Sequence, residues 1–377
     1  MKHIQSDRLE RWYGSEYINM VSLAMRNPTA QWYGGHIPVG GATGAHGRVL
    51  ATRDGDFVGR LPGGQFASYA DLLAEKASHW WQASRRQQFG QLNIGLTGLL
   101  FNAQARSQVA PFRKQTVGTV AGAGQDLWGL GALPPAGAAG AAVPSGTAND
   151  ITNTGALGLQ DLTTSETMRV AASQGLLEEA TNSSIQNLLL YDRLFSVTPA
   201  LNTTATQSVN GTPGRYQSTT SGNDDSAANN FLMIVVTTVL AATAHNWTVC
   251  TYTDQSGNTG ATLPSVTGVA SAIAARLDHP VSQWFCPLAS GDIGIQKLTQ
   301  IQLSATLASG AVNFVIGHPL AWMPIYHPGG AAFTVMDGVL SVFSLARVAP
   351  SACLAIMEPI SIGSSRQIKG HVVVVPT

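Results

Sequence analysis

IQLSATL, residues 301–307, alternates without interruption: Ile301, Leu303, Ala305 and Leu307 fall on one side, Gln302, Ser304 and Thr306 on the other. A period of two marks a strand with one buried face and one wet face. Outward from it, NLLLYDRLFSV (187–197), FLMIVVTTV (231–239), WTVCTYT (247–253), AVNFVIG (311–317) and HVVVV (371–375) also read as strands, being rich in β-branched and aromatic residues. FTVM and VLSVF flank Asp337-Gly338, which predicts a hairpin with a type I′ turn. SGNDDSAANN (221–230) and QSGNTG (255–260) are turn-rich loops. Many antiparallel strands joined by such loops predict a mainly β chain, with residues 185–377 forming an antiparallel β-sandwich or jelly-roll-like assembly domain.

Upstream the period changes. In FASYADLLAEKASHWWQASRRQQFG (66–90), Phe66, Tyr69, Leu72, Leu73, Trp80 and Trp81 recur at offsets near three and four. That predicts a helix with one apolar stripe, closed by Arg85 and Arg86 at its C-terminal end, where cations complement the dipole. A shorter helix is expected over Leu9–Met25. Residues 1–120 are therefore expected to be a smaller, basic, partly helical docking region. Residues 121–184 follow as a Gly/Ala/Pro-rich arm or linker, too poor in large side chains to bury a core of its own. Within it Leu127, Trp128, Leu130 and Leu133 are exceptions, large apolar groups that need a pocket on this chain or on a neighbour.

Charge is scarce and sorted by sign. Lys, Arg, Asp and Glu make up 11% of the 377 residues, against about 25% in an ordinary domain. Residues 1–114 hold 13 basic and 7 acidic groups, and the rest of the chain 8 and 14. The net charge is zero, with two poles of opposite sign. A compact monomer of this mass exposes about 14,000 Å² by the surface scaling law, so charges are thinly spread. Either hydroxyls and amides cover the surface, or other protein does.

No constellation names a reaction. Gly122 and Gly124 begin like a dinucleotide fingerprint, but Leu127 stands in the third glycine's place. There is neither a Walker-type loop nor a Gly-x-Ser-x-Gly elbow. Asp224-Asp225, with Asn223, Asn229 and Asn230, lacks the closing acid of a calcium loop, so a solvated turn is expected. His279, His318 and His327 each precede a proline and are expected at strand-end turns with satisfied rings. Cys250, Cys286 and Cys353 are isolated and expected as buried free thiols, a disulfide between two of them staying open. No enzyme, catalytic residue, cofactor or metal is expected. MKHIQSDRLERWYG has no apolar h-region, so no secretory signal is expected. The longest apolar run, 231–244, is short for a membrane span. The aromatic and arginine-bearing N-terminal region could stack bases, but its dispersed charge suits an acidic protein surface better than nucleic acid.

NLLLYDRLFSV, TPGRYQS, YTDQSGNTGATLPS, RLDHPVSQWFCPLASGDIGI and VNFVIGHPLAWMP, spread over residues 187–325, resemble segments of virion structural proteins of tailed bacteriophages. The resemblance implies a non-enzymatic component of a particle, located in the virion after assembly in the host cytoplasm, and assigns no binding residue. Together with the charge pattern it leads to a capsid-associated decoration or cement protein that self-associates, a trimer being one expected form, and contacts other virion proteins such as the shell. The interface residues expected are Trp80, Trp81, Arg85, Arg86 and Trp128. Two alternatives stand: a tail, neck, baseplate or major capsid component, and a receptor- or carbohydrate-binding module.

Overall fold

A computed structural model describes residues 106–159, 168–177, 185–326, 332–337 and 346–376, apart from 119, 221–223, 362 and 364, together with three short strands near the N-terminus. The chain divides into two compact units, Met1–Leu96 and Thr97–Thr377. In the first, β1 (Arg48–Ala51), β2 (Phe57–Leu61) and β3 (Gly64–Phe66) form an antiparallel meander. Phe66, the expected start of the long helix, ends that meander. The remainder of 66–89, with Trp80, Trp81, Arg85 and Arg86, lies outside the described residues, as does the helix expected over 9–25. No helix occurs among the described residues.

The second unit opens with β4 (Gln108–Gln115), followed by three two-residue strands, β5 (Gln125–Asp126), β6 (Ala132–Leu133) and β7 (Thr147–Ala148). The long β8 (Met168–Leu177) and β9 (Ile185–Val197) precede the short β10 (Gln207–Ser208). Next come β11 (Phe231–Thr238), β12 (Asn246–Asp254), β13 (Thr259–Thr262), β14 (Val266–Thr267), β15 (Ile295–Leu303) and β16 (Ala311–Tyr326). β17 (Ala332–Asp337), β18 (Arg347–Val348), β19 (Leu354–Glu358) and β20 (Gln367–Pro376) complete it. These strands make three antiparallel sheets. The first runs β10-β15-β12-β13, with β14 on β12. The second runs β11-β16-β9-β19-β5, with β7 on β9. The third runs β17-β8-β20-β4-β6, with β18 on β8. The mainly β antiparallel class read from the sequence is thus the observed one.

The second sheet is central because both of its faces are buried. Along β11, Leu232, Ile234 and Val236 join the main core, while Phe231, Met233 and Val235 join a second cluster on the opposite face. That explains why this strand reads as a continuous apolar run and not as an alternation. The main core also takes Ala110 and Phe112 of β4 and Trp247 and Tyr252 of β12, so it unites all three sheets. Ile301 and Leu303 point inward as their alternation requires, although the strand ends at Leu303 and Leu307 is buried from the following turn. At the predicted Asp337-Gly338 hairpin, β17 supplies the first strand, while Gly338 and the VLSVF strand fall outside the described residues.

Residues 121–159 do not stand off as a free arm, which corrects the sequence reading. They enter the central sheet through β5 and β7, pack against it, and take up its spare backbone groups: Leu127 N–H donates to Ile356 C=O, Thr198 N–H to Ala141 C=O, Asn149 N–H to Leu194 C=O and Leu157 N–H to Leu354 C=O. The poverty in large side chains is what allows this close approach. A Cβ on Gly140 would lie 2.3 Å from the Ser196 carbonyl oxygen, and one on Gly137 2.0 Å from the Trp128 ring. Gly140→Ala is therefore expected to cost about 1–3 kcal/mol, the usual range for overpacking, read as a lowered urea midpoint with an unchanged slope.

Candidate functional site: an inward-turned set of charges

The sequence YDR sits in the middle of β9, where both faces of the sheet are covered, so its ionic groups must find partners inside. Asp192 is fully buried and accepts from Arg215 Nε at 2.7 Å, from Arg215 Nη2, and from the Cys353 N–H at 2.9 Å. Arg215 Nη1 donates to the Asn149 carbonyl at 2.7 Å. On the opposite face, Arg193 Nη1 donates to Asp126 Oδ2 at 2.8 Å, and Tyr191 Oη donates to Asp126 Oδ1 at 2.8 Å. The Arg193 guanidinium lies over the Trp128 ring, 4.8 Å from its centroid. Burial lifts the Tyr191 phenol well above its ordinary value, and the Asp126 carboxylate adds to the rise.

Other charges are used in the same way. Glu358 pairs with Arg366, both buried. Asp278 Oδ2 faces His245 Nε2 at 3.0 Å and accepts from Trp247 Nε1 at 2.8 Å, while its Oδ1 accepts from the Val269 N–H at 2.6 Å. His245 Nδ1 lies 3.0 Å from the Thr243 carbonyl. With acceptors at both ring nitrogens, His245 is best satisfied as an imidazolium. Burial opposes that charge, but the Asp278 and Thr243 contacts outweigh it and raise the pKa.

Asp224, expected in a solvated turn, instead anchors the buried Arg169 at 2.6 Å, and Asp225 faces Arg347. No group of three or more metal-type ligands occurs among the described residues. The three cysteines are free and buried. Cys286 Sγ lies 3.7 Å from His279 Nε2, but this is no nucleophile–base pair. That nitrogen accepts the Ile234 N–H at 3.0 Å, and burial pushes the thiol well above its ordinary value. His279 thus caps a backbone donor on the edge of β11. His318 stacks on Tyr216 at 4.0 Å and meets Asn230 Oδ1 at 2.8 Å; His327 lies outside the described residues.

What remains outside is almost free of ions. Among the residues whose side chains are described, the carboxylate side chain of Asp225, facing Arg347, is the most open to solvent in an ion pair, and the exposed cations are Arg106 and Arg113. Across the first sheet the register aligns Ser208, Gln300, Thr251 and Thr262, an uncharged polar row over four strands. Val109, Val120, Leu133, Val239, Val281 and Ile293 are exposed. Trp128, expected to seek a pocket, finds it on its own chain: it is buried, packs on Gly137 and Gly155, and donates Nε1–H to the Ala138 carbonyl at 2.8 Å. The residues that sequence reasoning missed are Asp126, Asp192, Arg193 and Arg215; charged letters inside an apolar strand were the available signal for two of them.

No family model matches the chain, and no curated protein matches it. Among solved structures, similar ones include that of the infectious bursal disease virus Gt strain, with 10% identity and a TM-score of 0.16 over 72% of this chain and 81% of that one. The VP2 subviral particle of infectious bursal disease virus is similar at 12% identity and a TM-score of 0.15, with the same coverage. Likeness at this level leaves role and fold to be argued from the residues of this chain.

Proposed function

We propose that this protein is a structural component of a bacteriophage particle, a capsid-associated decoration or cement protein whose jelly-roll-like β unit self-associates. The observation that carries the reading is the inward turning of charge. A chain already poor in ions turns many of the described ones into buried pairs, and offers neighbours a surface of hydroxyls, amides and scattered valines. Such a surface loses little on desolvation, because few ions have to be stripped of water. Interfaces of about 1,600 Å² per contact would suffice, and repetition around a shell makes individually weak contacts collectively tight. The phage resemblance of residues 187–325 supports the same reading. Docking is assigned to the basic N-terminal region, through Trp80, Trp81, Arg85 and Arg86.

Light scattering on the purified chain tests this. The expected mass at micromolar concentration is a multiple of 39.4 kDa, a trimer being the form favoured, and Arg85→Glu with Arg86→Glu is expected to abolish binding to purified shells. A monomer at every concentration that also ignores such shells would overturn the proposal.

A further inference from the structure

The third sheet turns a cationic face outward along β4 and β20. In β4, Val109, Pro111, Arg113 and Gln115 are exposed, while Ala110, Phe112 and Lys114 are buried. The register sets Arg113 opposite Lys369 of β20, Pro111 opposite His371 and Gln115 opposite Gln367, the β20 partners being partly exposed. On the other side of β4, Leu133 of β6 pairs with Arg113 and is 47% exposed. One row therefore runs Leu133, Arg113, Lys369 across three strands. Opposed residues in a ladder share a face, and like charges set directly opposite each other are destabilising. Neither β4 nor β20 contains an acidic residue.

A groove of about 600 Å³ opens beside that row, and its lining includes Arg113, Lys114, Gln115, Ala132, Ser365 and Gln367. None of the lining residues carries a carboxylate. Arg113 donates from Nε and Nη2 to Gln367 Oε1 at 3.3 and 2.7 Å. That carboxamide holds the guanidinium in place without cancelling its charge. Lys114 donates Nζ–H to the Leu130 and Pro134 carbonyls at 2.7 and 2.8 Å. The carboxylate it feels is Asp126, which is buried and already held by Tyr191 and Arg193. Burial lowers the Lys114 pKa to about 8, so it stays mostly cationic at neutral pH.

We propose that this face and its groove dock an acidic, partly apolar segment of another protein. Carboxylates of the segment meet Arg113 and Lys369, an apolar side chain meets Leu133, and the remainder lies in the groove. Charge complementarity selects this occupant. The described surface of a second copy offers little negative charge, Asp225, itself facing Arg347, being the most open carboxylate in an ion pair. Nucleic acid is disfavoured because the outward rows of β4 and β20 hold no Phe, Tyr or Trp on which a base could stack. The surface uses residues of the second compact unit only, so it goes beyond the assembly reading and does not rest on it.

The full chain and a fluorescein-labelled decapeptide of glutamate and leucine, followed by fluorescence anisotropy, test this. Saturable binding near about 0.1 mM is expected at low salt, weakening as ionic strength rises. The same peptide with lysine in place of glutamate should not bind. Arg113→Glu with Lys369→Glu is expected to weaken binding by about tenfold or more, and Leu133→Ser several-fold, with unchanged circular dichroism. Arg85→Glu with Arg86→Glu, an equal change of charge, and Lys297→Glu in β15 should each stay within about twofold. Failure of the peptide to saturate on folded protein overturns the assignment. So do equal losses in those two controls, which would mean diffuse attraction. Tighter binding of a labelled oligothymidine, lost with Arg113→Glu and Lys369→Glu, overturns it in favour of nucleic acid. A chain that stays monomeric and ignores shells, yet binds the peptide, would overturn the assembly reading and leave this one standing.

Discussion

Asp192→Ala is expected to lower the unfolding free energy by about 3–5 kcal/mol, the cost of stranding one member of a buried pair. Asp192 has no exposure and holds Arg215 through both carboxylate oxygens while also capping the Cys353 N–H. Its removal leaves a guanidinium that is 7% exposed with only carbonyl partners, those of Asn149 and Arg193. Since ordinary domains are stable by about 5–15 kcal/mol, the variant should lie near the edge of folding. The physical cause can be isolated. The double variant Asp192→Leu with Arg215→Met removes both charges and is expected to recover most of the loss, because apolar replacement of a whole pair is often neutral. Urea midpoints of the two variants decide it: equal losses would mean that packing, and not the stranded charge, sets the cost.

The second large effect is acid lability. His279 is buried as a neutral ring, and burial lowers its pKa to about 4; burial likewise lowers that of His318 to about 3. Both values lie below the ordinary 6.5. The unfolded chain therefore binds protons that the folded chain refuses. Their contribution is complete above pH 6.5 and declines as the pH falls, each ring withdrawing up to about 1.4 kcal/mol per pH unit. By pH 4 the two together remove about 6 kcal/mol. His245 runs the other way: its pKa is raised, so its contribution is full below pH 6.5 and fades as the pH rises through its folded value. Asp278, whose pKa the contacts from His245, Val269 and Trp247 lower against burial, keeps its contribution until the pH falls below the ordinary carboxylate range. Denaturant midpoints from pH 7 to pH 4 should fall steeply, and His279→Gln, whose amide oxygen can still accept the Ile234 N–H, should flatten the slope by about half. A midpoint independent of pH over that range would show that these imidazoles are not held neutral.

The strands were legible because periodicity reports burial directly. IQLSATL declared its inner face, and the unbroken FLMIVV run declared a strand covered on two sides. What covers the second side was not legible. A segment of glycine, alanine and proline has no period, and its role depends on fitting beneath 3 Å against Ser196 and Trp128, a tertiary property. The charged residues failed for a related reason. Asp224 has the neighbours of a solvated turn, and only the fold brings the buried Arg169 to it from 55 residues away. For Trp128 the sequence correctly demanded a pocket but could not say whose.

The third sheet joins β4 to β20, so residues 108–115 wait for residues 367–376 before either strand has its neighbour. During synthesis this unit cannot close until nearly all of it has left the ribosome. Such distant pairing is slow to form, and half-made chains expose the apolar β11 in the meantime. A host cell producing many copies would therefore be expected to depend on chaperones, and truncation within HVVVV should give inclusion bodies instead of a smaller soluble product.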